Sequence, residues 1–134
     1  MSFFTVTAAA LLGLFVAFFG LQIFMVRRVR KQQGKPAPEL AGPAGARVAG
    51  GKAALFYFYS PACGACRAMT PVVRQLAQGD PGVFPVDVSQ DMDTARRFGV
   101  MATPTTILVR GGVVERVLVG AQPEATLRGL VAAG

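Results

Sequence analysis

The 134-residue chain has no histidine and no tryptophan, two cysteines, and seven acidic residues against fourteen basic ones. Without histidine there is no His-ligated metal site, no imidazole acid–base catalyst and no Ser-His-Asp or Cys-His nucleophile. Two cysteines cannot complete a four-thiolate zinc site within one chain. Standing three apart in Cys63-Gly64-Ala65-Cys66, they are no framework linking distant segments of a secreted mini-protein either. No cofactor is implied, and the chemistry rests on two sulfurs. The shortage of acid is also uneven. Arg27, Arg28, Arg30, Lys31 and Lys35 fall in one nine-residue stretch without a carboxylate, while the 99 residues after it carry nine basic and seven acidic side chains. A nucleic-acid face needs Lys and Arg spread over the folded domain, so nucleic acid is excluded as a partner.

What is present first is an apolar run. Residues 5–26 (TVTAAALLGLFVAFFGLQIFMV) hold no charge and one strongly polar side chain, Gln22. Twenty-two residues are enough to cross a hydrocarbon core of about 30 Å. A cleaved secretory signal would want basic residues before a shorter core and a small-residue cleavage site after it; here the order is reversed, with Arg27-Arg28 following at once. The expectation is a retained, single-pass anchor in a membrane such as a bacterial inner membrane, in contact with lipid through residues 5–26. The basic cluster predicts the following domain on the cytoplasmic face. Ala9, Gly13 and Ala17 recur every four residues, an arrangement suited to packing against another membrane subunit and equally ordinary in a lone span.

Residues 32–52 are rich in Gly, Pro and Ala without apolar periodicity and read as a semi-extended tether. Residues 1–31 are then anchor and basic juxtamembrane segment, and residues 53–134 the folded domain. Within it, residues 53–59 (AALFYFY) predict a central strand buried on both faces. The CGAC stretch opens a helix whose Met69, Val72, Val73 and Leu76 form one stripe, with Pro71 interrupting its ladder. Residues 83–88 predict a strand and residues 91–98 a short helix ended by Gly99. Strands over 105–109 and 113–119 flank Gly111-Gly112, a two-residue hairpin signal. Pro123 begins the last helix, with Leu127, Leu130 and Val131 inward. The order β, α, β, α, β, β, α predicts a parallel pair joined by a helical crossover, then an antiparallel hairpin.

Two thiols at i and i+3 on the first turn of a helix form a specific arrangement. Unpaired N–H groups and the helix dipole favour ionisation of Cys63, and the thiolate is the nucleophile. Cys66, one turn on, is sheltered and close enough to attack a mixed disulfide. The bland readings are two ordinary buried cysteines, or half of an intermolecular metal site. Covalent haem attachment needs His after the second Cys, where Arg67 stands.

From Ala53 to Ala133 the chain resembles the thioredoxin superfamily. The resemblance rests on the CxxC after an aromatic strand, Pro71 five residues past Cys66, the run Gly99-Val100-Met101-Ala102-Thr103-Pro104-Thr105, the Gly111-Gly112 hairpin, and Gly120 before the final helix. Residues 34–39 (GKPAPE) also resemble the entry to membrane-anchored, cytochrome-maturation-type thioredoxins. The resemblance implies an α/β thioredoxin-like fold with a minimal mixed sheet of about four strands, preceded by one transmembrane helix. It implies Cys63 and Cys66 as the catalytic, disulfide-forming pair, a cis Pro104 beside them, and Thr103 offering its backbone to an extended substrate. Protein thiols and disulfides are the implied partners.

Three positions depart from the family pattern. Tyr57 stands where the family has a buried acid, Ala62 where it has Trp, and Gly64-Ala65 replaces Gly-Pro. A phenol is a poor base at neutral pH, so the loss of the acid leaves open how Cys66 is deprotonated. Three functions remain. The first is a membrane-tethered thiol–disulfide oxidoreductase. The second is an accessory subunit of a membrane complex that uses the domain as a binding module. The third is metal carriage by the two thiolates. The side of the membrane stays open as well, because analogues of this anchored type often face the oxidising side whereas the charges here favour the cytoplasm.

Overall fold

The structure, a computed structural model, describes residues 2–132. The last residue of the expected resemblance, Ala133, lies outside them. Two compact units divide between Lys31 and Gln32.

The first unit is one helix, α1 (Phe3–Arg30), with Arg27, Arg28 and Arg30 in its last turn. Its 28 residues extend about 42 Å at 1.5 Å each. The hydroxyls of Thr5 and Thr7 donate back to the carbonyls of Ser2 and Phe3, so its early polar side chains are satisfied by backbone one turn back. Among the described residues it is the one helix long and apolar enough to cross a membrane. Its Phe and Leu side chains are exposed along its length.

The second unit is a four-stranded sheet between two layers of helices. β1 (Ala54–Tyr59), β2 (Val83–Asp87), β3 (Thr105–Arg110) and β4 (Val113–Val119) lie in the order β2-β1-β3-β4. The β1–β2 pair is parallel, and the β1–β3 and β3–β4 pairs are antiparallel. Gly111 and Gly112 both take positive φ, 60° and 74°, which matches the two-residue hairpin expected there. Because side chains alternate along a strand, β1 feeds two cores. Phe56 and Phe58, with Ile107 and Val109, face α2 (Gly42–Ala49) and α4 (Met92–Arg97) and their flanks through Val48, Ala95 and Phe98. Leu55 and Tyr57, with Leu108, face α3 (Cys66–Gly79) and α5 (Glu124–Ala132) through Met69, Val73, Leu127 and Leu130. Of the helical stripe expected from Met69, Val72, Val73 and Leu76, Met69 and Val73 are buried, and Val72 and Leu76 are partly buried against the same core.

Residues 32–52 are not an extended tether. They contain α2, and Leu40, Ala44 and Val48 recur every four residues along one face that packs on the Phe56 side of the sheet. Arg47 Nε donates to the Ala53 carbonyl at 2.6 Å, fastening the end of α2 to the start of β1. Ahead of α2, Pro36 bridges Val113. Gly34 N–H donates to Val114 O, Val114 N–H to Lys35 O, and Ala37 N–H to Gly112 O, so this segment covers the outer edge of β4. The Gly/Pro/Ala composition conceals these roles, because neither contact exists until the strands are in place.

Candidate functional site

β1 and β3 run antiparallel with Phe58 opposite Thr105, so the chain leaving β1 toward Cys63 and the chain entering β3 from Thr103 emerge at one end of the sheet. Val119, opposite Thr105 on β4, brings Gly120 to the same end, where its N–H donates to the Pro104 carbonyl at 2.8 Å. The Thr103–Pro104 peptide is cis. Pro104 is fully buried and Thr103 half-buried. The sheet register thus gathers the CxxC loop, the proline loop and the loop before α5.

Cys63 and Cys66 form a disulfide with Cα atoms 5.3 Å apart. Where the sequence predicts a helix opening at Cys63, α3 begins three residues later, at Cys66. Cys63 sits in the preceding turn, its N–H donating to Ser60 O, and its Sγ accepts the Cys66 N–H at 3.2 Å. The sulfur thus serves as the side-chain acceptor that Ala65, at the N-cap, cannot supply. Cys66 is 2% exposed and Cys63 is part-exposed. One cysteine is sheltered while the other is open in part to solvent.

Beneath Cys66 the sheet offers hydroxyls and no charge. Tyr57 is fully buried, and its ring stacks on Tyr59 at 5.5 Å. Its Oη lies 3.0 Å from Thr70 Oγ1, and Thr70 Oγ1 donates to the Cys66 carbonyl at 2.8 Å. Burial pushes the Tyr57 phenol above its ordinary value. Thr105 and Thr106 are the buried polar side chains of β3. The Thr105 hydroxyl donates to Ala102 O at 2.7 Å, whereas Thr106 Oγ1 has no partner among the described residues. Sequence reasoning misses Thr70, although it stands four residues after Cys66, one helical turn along the same face. Thr106 has no local signal, since it meets Tyr57 only across the β1–β3 pairing.

The thioredoxin family model matches residues 46–133. The chain belongs to the thioredoxin family. Its chemistry is thiol–disulfide exchange through the Cys63–Cys66 pair, and its four-stranded domain is a thioredoxin fold. It is 37% identical over 76 residues to the Arabidopsis thaliana protein named Thioredoxin M4, chloroplastic, covering 54% of this chain and 39% of that one. It is 36% identical over 77 residues to the thioredoxin of Bacillus subtilis, covering 55% of this chain and 74% of that one. Among solved structures it is similar to a point mutant of the thioredoxin from Halobacterium salinarum. The TM-score is 0.54 at 33% identity, over 60% of this chain and 73% of that one. The thioredoxin match begins inside α2, so α1 and the β4-edge segment are additions to what it describes.

Proposed function

We propose that this thioredoxin is membrane-tethered and acts on protein disulfides, with Cys63 as the attacking sulfur and Cys66 as the resolving one. The observation that carries the assignment of roles is the difference in exposure between the two cysteine residues, together with the place of Cys63 in the turn ahead of α3. In the reductive direction the Cys63 thiolate attacks a target disulfide, a mixed disulfide forms, and one target sulfur leaves as thiolate. Cys66 then attacks the Cys63 sulfur, the second target thiolate departs, and the Cys63–Cys66 bond carries away the two electrons' worth of oxidation. An external dithiol restores the reduced pair. Thr103 and the cis Pro104 border the site at the correct end of the sheet to pair with an extended target segment.

The tether is α1. Its uncharged run matches the hydrocarbon thickness, its exposed Phe and Leu side chains require an apolar solvent, and its basic last turn favours the cytoplasmic side for the domain. The missing acid at Tyr57 favours a second reading, in which the domain is a binding module of a membrane complex and its thiols are inert.

The rate of alkylation of reduced Cys63 separates the two readings. An active thiol reacts several-fold faster than glutathione, and a rate no greater than glutathione's would favour the module. With a membrane-impermeant reagent on intact cells, a cytoplasmic domain stays unlabelled until the membrane is opened. After carbonate washing the full chain should remain in the membrane pellet. A mature amino terminus beyond Val26 would refute the anchor.

A further inference from the structure

We propose that the Tyr57–Thr70 hydroxyl pair is a positioning device for the resolving step, holding Cys66 against β1 while its bond to Cys63 is open. Thr70 has one hydroxyl proton, and the 2.8 Å contact gives it to the Cys66 carbonyl. The 3.0 Å contact is therefore a hydrogen bond donated by Tyr57, with a longer branch of 3.4 Å from the same phenol to the Cys66 carbonyl itself. The chain of hydroxyls begins on the central strand, paired on both edges, and ends on the backbone of the resolving cysteine. Burial keeps the phenol protonated, and so a donor, beyond neutral pH.

At the start of α3 the other ties are the Arg67 N–H bond to the Gly64 carbonyl at 3.3 Å and the packing of Met69 in the core, and neither acts on the Cys66 backbone. Ala65 gives no side-chain cap, and Pro71, lacking an N–H, leaves the Arg67 carbonyl without its helical donor. The Cys66 N–H is held by Cys63 Sγ. In the mixed disulfide that sulfur is bonded to the target, so the covalent tie to Cys66 is gone and its hydrogen bond must be shared with a new substituent. The hydroxyl pair stays, because it acts on the other side of the residue. Resolution is intramolecular, so its rate and equilibrium follow the effective concentration of one sulfur at the other, and a restraint from a rigid strand raises both. No proton or electron passes through the pair: Cys66 thiolate attacks, the Cys63–target bond breaks, and the target leaves as thiolate.

This inference rests on the roles given above to Cys63 and Cys66, and the test keeps the two apart. Full-length protein in detergent micelles is equilibrated with reduced and oxidised glutathione, and decay of a Cys63 mixed disulfide is followed in single turnover. In Tyr57→Phe, which removes one oxygen, the constant for closing the Cys63–Cys66 disulfide should fall about three- to tenfold. For a two-electron couple that is about 15 to 30 mV toward the oxidising side. The resolution rate should fall by a similar factor. Thr70→Val should shift both in the same direction, and Thr70→Ser should restore them.

Thr106→Val is the control. It removes the unpartnered hydroxyl on the same face, so it should raise the melting temperature and leave both redox readouts alone. Folded Tyr57→Phe or Thr70→Val protein with wild-type equilibrium and rate would overturn the inference, even if its melting temperature fell. So would a Thr106→Val effect as large as that of Tyr57→Phe, which would point to general softening of the core. Wild-type protein that exchanges no disulfide at all would instead remove the assigned roles, and this inference with them.

Discussion

Cys63→Ser is expected to reduce thiol–disulfide exchange to the uncatalysed level, whereas Cys66→Ser should accumulate covalent mixed disulfides with target proteins. The asymmetry follows from position. Cys63 is part-exposed in the turn before α3, while Cys66 is 2% exposed behind it, so an incoming disulfide meets one sulfur. Serine in place of Cys63 is a poor nucleophile near neutral pH, and nothing else in the chain substitutes, since it has no third cysteine and no histidine. Serine in place of Cys66 keeps the attack and removes the escape. The restraint on residue 66 acts through its carbonyl, so the substitution leaves the first turn of α3 in place. Non-reducing gels and mass spectrometry of the trapped adducts measure the outcome and name the targets. Equal trapping by the two variants would reverse the division of roles. Retention of the same partners by both variants, without any covalent adduct, would favour the binding-module reading.

Tyr57→Asp should make the protein much less stable and its resolving step faster. The ring it deletes is fully buried between the central strand and α3, and loss of a buried aromatic costs about 3–5 kcal/mol. Against a usual total of about 5–15 kcal/mol, that is a large share. The new carboxyl is buried beneath Cys66 with no cation among the buried residues described, so desolvation raises its pKa toward neutrality, where a general base is most effective. A positioned base contributes roughly 10²-fold or more. Loss of the Tyr57 hydrogen bond costs at most about tenfold. The base should therefore win at pH 7.

Wild-type resolution, by contrast, should accelerate from about pH 6 to 9, bracketing the ordinary cysteine value near 8.5, while the variant's profile is flatter. Single-turnover decay of the mixed disulfide across that range is the measurement, and a flat wild-type profile would show that another group already serves as base. The phenol has its own alkaline signature. Folded Tyr57 holds its proton above the ordinary value of 10.0, at which the unfolded chain releases it. The folded state then binds more protons, so stability falls as pH rises past 10, and Tyr57→Phe should flatten that decline.

Much of this architecture is written locally. The unbroken apolar run through Leu55, Phe56, Tyr57 and Phe58 is the pattern expected of a strand covered on both faces, and both cores converge on it. Met69 and Val73 lie four apart and share a face, and Gly111-Gly112 supplies the two positive φ values a tight hairpin needs. The two sulfurs are identifiable because three-residue spacing is a near-neighbour relation whatever the rest of the chain does. Other features depend on contacts made at a distance.

Residues 32–52 look like a linker because Gly, Pro and Ala carry little apolar signal; the β4 edge and the Phe56 face turn them into a strand cover and a packed helix. Spacing predicts Cys63 inside the helix, yet it precedes α3 and caps it through its sulfur, a distinction of hydrogen-bond geometry that spacing does not encode. Tyr57 stands out in the sequence only as a missing acid. That it reaches Thr70, thirteen residues away, and lies opposite Thr106, forty-nine away, follows from strand register and the placement of α3 on the sheet. Composition and spacing dictate which chemistry this chain can perform, because they limit the reactive groups to two sulfurs. The hydroxyls that reach the Cys66 carbonyl come together only when α3 packs on β1, in a core where every unpaired hydroxyl is costly.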